Sequence, residues 1–176
     1  MKHALVMVLG LTAAPIGLRA QEPDSAANPA VTTTRDLWKS VTDYITTAAE
    51  ELSAADYAYR PAATVRTFGE LIGHVAGAQY LICAAALGDP PRAEDEIEKT
   101  KRTKPELLEA LRASTAYCAK AYSQSDATVR QRTSLFGQER SRLFALGSNA
   151  THNAEHYGNI VTYMRMKGMV PPSSRR

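Results

Sequence analysis

Through most of this chain the apolar residues recur at helical spacing, and each such run closes at a marked stop. Between Thr33 and Leu52 they fall at Leu37, Val41, Ile45, Ala48 and Leu52, which is one face of a 3.6-residue turn. The "TTT" ahead of them offers N-cap oxygens, and "YRPAATV" breaks the pattern after them. A second helix is predicted from "TFGE", where Thr67 caps and Glu70 reaches back as its capping-box partner, to the stop at "GDPP". A third follows Thr103 and Pro105, with Leu107, Leu108, Leu111, Cys118 and Tyr122 at helical spacing until "SQSDAT". The fourth is expected from about Glu139 to Lys167, ended by Gly168 and two prolines in "GMVPP". The stretch from Val129 to Phe136 reads as extended but is too short to build a sheet alone. The expected fold is therefore all-α, a four-helix bundle over residues 33–172.

Connection lengths bear on topology. Residues 88–103 can span roughly 50 Å if extended, enough to cross the length of a 20-residue helix. Helices two and three can then run parallel. Counted from their helix starts, Cys83 and Cys118 both sit about 20 to 25 Å along, at 1.5 Å per residue. In a parallel pair they lie level; in an antiparallel pair they exceed the roughly 7 Å Cα separation a disulfide tolerates. The expectation is an up-down-down-up bundle with a long crossover and a Cys83–Cys118 bridge.

The N-terminus is set apart from the fold. "MKHALVMVLGLTAAPIGLRA" opens with Lys2, continues in an apolar run to Leu18 and closes on small residues. That run is shorter than the roughly 20 residues a spanning helix needs, so residues 1–20 read as a secretory signal cleaved after Ala20. Residues 21–32 are then a flexible linker and 173–176 a disordered tail. Export to the periplasm or medium, with no stable membrane insertion after signal removal, also favours the disulfide. Of 21 basic and 18 acidic residues, Lys2 and Arg19 leave with the signal, so the formal charge falls to +1. No nucleic-acid partner is implied. The mixed run "RAEDEIEKTKRTK" at 92–104 reads as solvated surface.

Three of the four histidines lie in the mature part: His74, His152 and His156. His152 and His156 differ by about 40° on the helix wheel, so both can present a ring nitrogen to one ion. His74 falls on the core side of helix two, beside Leu71, Val75 and Ala78, where an unpaired polar ring needs a partner. Either the three rings share a divalent ion or His74 hydrogen-bonds a carbonyl or tyrosine while the other pair is exposed; convergence favours the metal site. "HNAEH" also fits H-x-x-E-H, the inverted zinc-protease pattern with glutamate as base, but no Asp or Glu follows His156 to complete its ligand set.

These segments resemble the DinB-like (YfiT-like) metal-dependent four-helix proteins. The likeness lies in "TFGELIGHVAGAQ", in "HNAEHYGN" against that family's H-x-x-x-H-x-G-Q, and in "MRMKGMVPP", and it covers Thr33 to Pro172. It implies an up-down-down-up bundle, a divalent ion held by His74, His152 and His156, and a tendency to form homodimers. Gly158 matches the family's small residue after the second helix-four histidine, while Asn159 stands where Gln is usual. Similar members include thiol-dependent transferases, a maleylpyruvate isomerase and hydrolases, so the resemblance implies a site more narrowly than a reaction.

Three neutral imidazoles leave a coordination position open, which suits hydrolysis or transfer on a small molecule. Imidazole donors fit zinc or nickel best, with iron and manganese also compatible. Glu155 is the candidate catalytic base, near the edge of the histidine face yet equally able to face solvent. The alternatives are a non-catalytic metal-binding stress or interaction protein of the same fold, and a metal-free binding module, for which His74 would stand more than about 8 Å from the other two rings.

Overall fold

The computed structural model describes residues 27–175; the expected signal segment and most of the expected linker lie outside the described residues. Four long helices dominate: α1 (Pro29–Glu51), α2 (Phe68–Leu87), α4 (Lys104–Ala121) and α6 (Arg142–Met166). Two short helices, α3 (Glu96–Thr100) and α5 (Asp126–Val129), sit in the connections. The fold departs from all-α in one place. Arg132–Leu135 (β1) and Gln138–Ser141 (β2) pair antiparallel as a hairpin, turned by Phe136 and Gly137, both at positive φ. Two strands suffice here because Leu135 is buried against the bundle and Thr133 Oγ1 donates to the Ala85 carbonyl. Helix α6 consequently starts at Arg142, where Ser141 Oγ accepts from Phe144 N–H.

Local signals set the other helix ends. Thr67 and Glu70 form the reciprocal capping box of α2, and Gly88 closes it in the left-handed conformation. Thr103 and Glu106 make a second capping box at α4. At α1 the expected start fails: the helix begins at Pro29, so residues 29–32 are helical and not linker. Its cap is tertiary. The Asp126 carboxylate accepts from Ala30 and Val31 N–H, and Asn28 Oδ1 accepts from Asp126 N–H, satisfying orphan donors from a residue almost a hundred positions away. The expected disordered tail is likewise corrected through Arg175. Tyr157 Oη donates to Ser173 Oγ, and Arg175 pairs with Glu51.

Contact partners reveal helix directions. Gly69 lies by Leu107, Gln79 by Ser114 and Cys83 by Cys118, so α2 and α4 climb together. Thr42 meets Asn153 and Tyr44 stacks on Tyr157, so α1 and α6 also run alike. Between α2 and α6 the order reverses: the Arg66 carbonyl, just before α2, accepts from Tyr163 Oη, and Gln79 meets Asn153. The disulfide Cys83–Cys118 is closed, with Cα atoms 5.3 Å apart. Helix α2 is long and apolar enough to cross a membrane, yet most of it is buried inside this fold. It reads that way because the other helices and the crossover surround it.

The core has two apolar clusters. One gathers Ile45, Phe68, Ile72, Leu111, Ile160 and Met164; the other gathers Trp38, Ile82, Tyr122, Val129 and Leu146 with the disulfide. A buried polar belt divides them. Gln79 accepts from Trp38 Nε1 and donates to Ser114 Oγ, and Asn153 donates to Thr42 Oγ1 and Gln79 Oε1. Such a belt in a low-dielectric core is costly unless satisfied, and these bonds supply most of its partners.

The crossover lies directly on α2. A Cβ on Gly77 would meet the Glu94 carbonyl oxygen at 1.8 Å, and one on Gly73 would meet Glu98 Cα at 2.9 Å. Arg92 is clamped over the rings of Tyr80 and Tyr117, at 4.6 and 4.8 Å. Gly77→Ala should therefore lift the crossover and destabilise the fold by about 1 to 3 kcal/mol, read as a lower urea midpoint with unchanged slope.

Candidate metal centre

His74 stands two turns into α2, where the capping box fixes the first turn, and it is buried. His152 and His156 lie one turn apart on α6 and face it. His152 Nε2 is 3.2 Å from His74 Nε2 and 3.0 Å from His156 Nε2. The three ligand-capable nitrogens lie within 4.8 Å of one another, the one such group among the described residues. An exposed pair with a separately satisfied His74 is not what the fold builds, nor is the 8 Å separation of a metal-free module.

Burial is the first cause that lowers the imidazole pKa of all three rings. His74 is lowered further by Arg66 and partly raised back by Glu94, Glu98 and Glu155. His152 is lowered further by His74, and His156, lowered also by His152 and His74, is pushed down to about 3. The rings are thus neutral at pH 7, the form that ligates. The donor set fits an ion on other grounds. Neutral imidazole has one N–H, so with the protons on Nδ1 the three Nε2 atoms, that of His152 in contact with the other two, turn three lone pairs toward one centre. For His156, the amide of Asn159 lies 3.4 Å from Nδ1; with its oxygen turned inward it accepts the Nδ1–H and leaves Nε2 free. Among the described residues, His152 Nδ1 is buried without a hydrogen-bond partner, as is the neighbouring Asn153 Oδ1.

This electrostatic arrangement sets a pH dependence for the metal-free protein. Folded imidazole values lie below the ordinary value of 6.5, so the unfolded chain takes up protons first as pH falls. Stability should be flat above about pH 7.5 and fall from about pH 6.5 toward pH 3, by up to about 1.4 kcal/mol per pH unit from His156 alone. Urea unfolding of chelator-stripped protein at pH 7.5, 6 and 5 measures this, and His156→Gln should flatten the curve.

Glu155, the candidate base, is exposed and forms no hydrogen bond or ion pair with the rings; its charge reaches His74 and His152. Two other carboxylates come closer. Glu98 Oε2 is 3.5 Å from His74 Nδ1, while its Oε1 holds Arg66 Nε at 2.8 Å. Glu94 Oε1 is 3.8 Å from His74 Nε2. Both belong to the charge run expected to be solvated surface. The available signal was Gly69, Gly73 and Gly77, one turn apart on α2, which lets a backbone lie against that face. Beside His156 a cavity of about 620 Å³ is lined by Val65, Arg66, Leu71, Glu98, Asn159 and Tyr163, among others.

No curated protein matches the chain. Among solved structures, a DinB-like protein from Bacillus cereus ATCC 10987 superposes with a TM-score of 0.69 at 17% identity, over 80% of this chain and 95% of that one. A DinB-like protein from Bacillus subtilis (YjoA) gives 0.64 at 21% identity, over 85% and 99%. The mycothiol-dependent maleylpyruvate isomerase gives 0.59 at 16% identity, over 74% of this chain and 59% of the isomerase. At these identities the likeness is one of fold. The DinB superfamily model matches residues 37–160, which include all three histidines, and the chain therefore belongs to the DinB superfamily.

Proposed function

We propose that this protein is an exported, metal-dependent hydrolase or transferase acting on a small molecule, built on an up-down-down-up bundle. The convergence of three neutral imidazoles beside a cavity carries the reading. His74, His152 and His156 would hold the ion, and a divalent cation so bound polarises a carbonyl or lowers the pKa of its water. Zinc or nickel suits three nitrogen donors, with iron and manganese as further candidates. Arg66, held by Glu98, faces the cavity and is placed to attract an anionic group on the substrate. Tyr163 Oη donates to the Arg66 carbonyl and fixes that wall. The parallel contact series of α2 with α4 and of α1 with α6 supports the topology, and the N-terminal apolar run with the buried disulfide supports export.

Likeness to a mycothiol-dependent isomerase brings thiol-dependent transfer into consideration. Low-molecular-weight thiols are mainly cytosolic, which places hydrolysis ahead for an exported protein. The test is turnover by zinc- and nickel-loaded protein lacking the signal, against ester, amide and thiol-adduct panels, beside chelator-stripped protein. Metal-dependent hydrolysis of any panel member supports the reading; tight metal binding with no turnover of any class would replace it with a non-catalytic metal-binding protein.

A further inference from the structure

The two nitrogens of His74 face different carboxylates, and both carboxylates arrive on the crossover. Glu98 addresses Nδ1, the outer nitrogen, at 3.5 Å. Glu94 addresses Nε2, the nitrogen that also faces His152, with its Oε1 at 3.8 Å. Atoms bound to one ion at about 2 Å each lie roughly 3 to 4 Å apart, the range that Glu94 Oε1 and His74 Nε2 already occupy.

The approach is held by backbone, not by a long flexible arm. The Glu94 carbonyl sits where Gly77 lacks a Cβ, Glu98 Cα sits over Gly73, and Arg92 lies over the rings of two tyrosines. The Glu94 side chain is 37% exposed and pairs with no Lys or Arg among the described residues. Its charge acts on His74 and His152, whereas that of Arg66 acts on His74 and His156. Glu94 does not line the Arg66 cavity, whose walls include Glu98 and His156, so a ligand there leaves the cavity side open.

We propose that Glu94 is a fourth metal ligand, delivered by the crossover to make a three-histidine, one-carboxylate site whose remaining positions open on the Arg66 cavity. The proposal rests on the metal reading above. The Glu94 oxygen lies outside the 4.8 Å group formed by the three nitrogens, so ligation requires a turn of the Glu94 side chain, with the crossover backbone where it is. A mixed nitrogen and oxygen set of this kind extends the suitable ions from tetrahedral zinc toward nickel, iron and manganese, which take more ligands. Glu98, with Oε2 3.5 Å from His74 Nδ1, has a separate role as the outer partner that orients the ring.

The test is cobalt(II) titration of chelator-stripped wild type, Glu94→Gln and Glu98→Gln, with affinity from a competing chromophoric chelator and coordination from the visible spectrum. Glu98→Gln should weaken binding by roughly 10- to 100-fold, the usual loss for an outer partner, and keep the spectral shape. Glu94→Gln should exceed that loss and change the spectrum, since a ligand is replaced. Wild-type affinity and an unchanged spectrum in folded Glu94→Gln would overturn the proposal and leave the triad standing. Failure of wild type to bind cobalt(II), zinc or nickel would overturn both this proposal and the metal reading.

Discussion

His74→Ala should abolish metal binding while leaving the bundle folded. Wild-type protein lacking residues 1–20, purified without chelator, is expected to carry near-stoichiometric divalent metal by elemental mass spectrometry, and the variant close to none. The reason is geometric. His152 and His156 share one turn of α6, but the third nitrogen, 3.2 Å from His152 Nε2, comes from α2. Two imidazoles on one helix turn rarely hold a divalent ion in competition with water. Binding to the folded state alone also stabilises it, by about 4 kcal/mol at a thousandfold excess over Kd. Added zinc or nickel should therefore raise the melting temperature of wild type and leave that of His74→Ala unmoved. Equal metal content in the two proteins would show that the bound ion sits elsewhere and would remove the foundation of the proposed function.

The second large effect concerns stability without the site. Cys83→Ala with Cys118→Ala should lower unfolding free energy by about 4 kcal/mol, the chain-entropy value for a loop of this length, since the bridge joins residues 35 apart. For a domain of this size that is roughly a 10 °C fall in melting temperature. Alanine is the right replacement because both positions are fully buried and a serine hydroxyl would lack partners. Metal affinity should persist, since Cys83 stands about 13 Å along α2 from His74 at 1.5 Å per residue. A double variant as stable as wild type would mean that packing of Trp38, Tyr122 and Leu146 around the site, not the cross-link, holds that end of the bundle. Reductant should act slowly on the native protein for the same reason of burial, and quickly once urea opens it.

Much of this molecule was legible in its sequence because the relevant interactions are local. The capping box of Thr67 and Glu70, the stops at Gly88 and Gly168, and the shared face of His152 and His156 each involve residues within about one helical turn. The level cysteines carried nonlocal information, since a bridge between them is compatible with parallel α2 and α4 and not with the antiparallel pair. Where legibility failed, the deciding partner was distant. The start of α1 at Pro29 depends on Asp126, and the ordered end of the chain depends on Tyr157 and Glu51. The first strand lies within the stretch read as extended, but its pairing with Gln138–Ser141 was not legible because two four-residue strands carry little periodicity and draw their stability from Leu135 and Thr133 against the bundle.

Local sequence encodes four long helices, their ends at strong caps and glycines, and two imidazoles on one face of the last helix. Tertiary structure alone decided that His74 meets that face from 78 residues away and that a charged run becomes the wall of the site. Helix formation is written in neighbours three and four apart. The placement of Glu94 and Glu98 follows instead from backbone lying against Gly73 and Gly77, a fit between distant segments that neither segment encodes without the other.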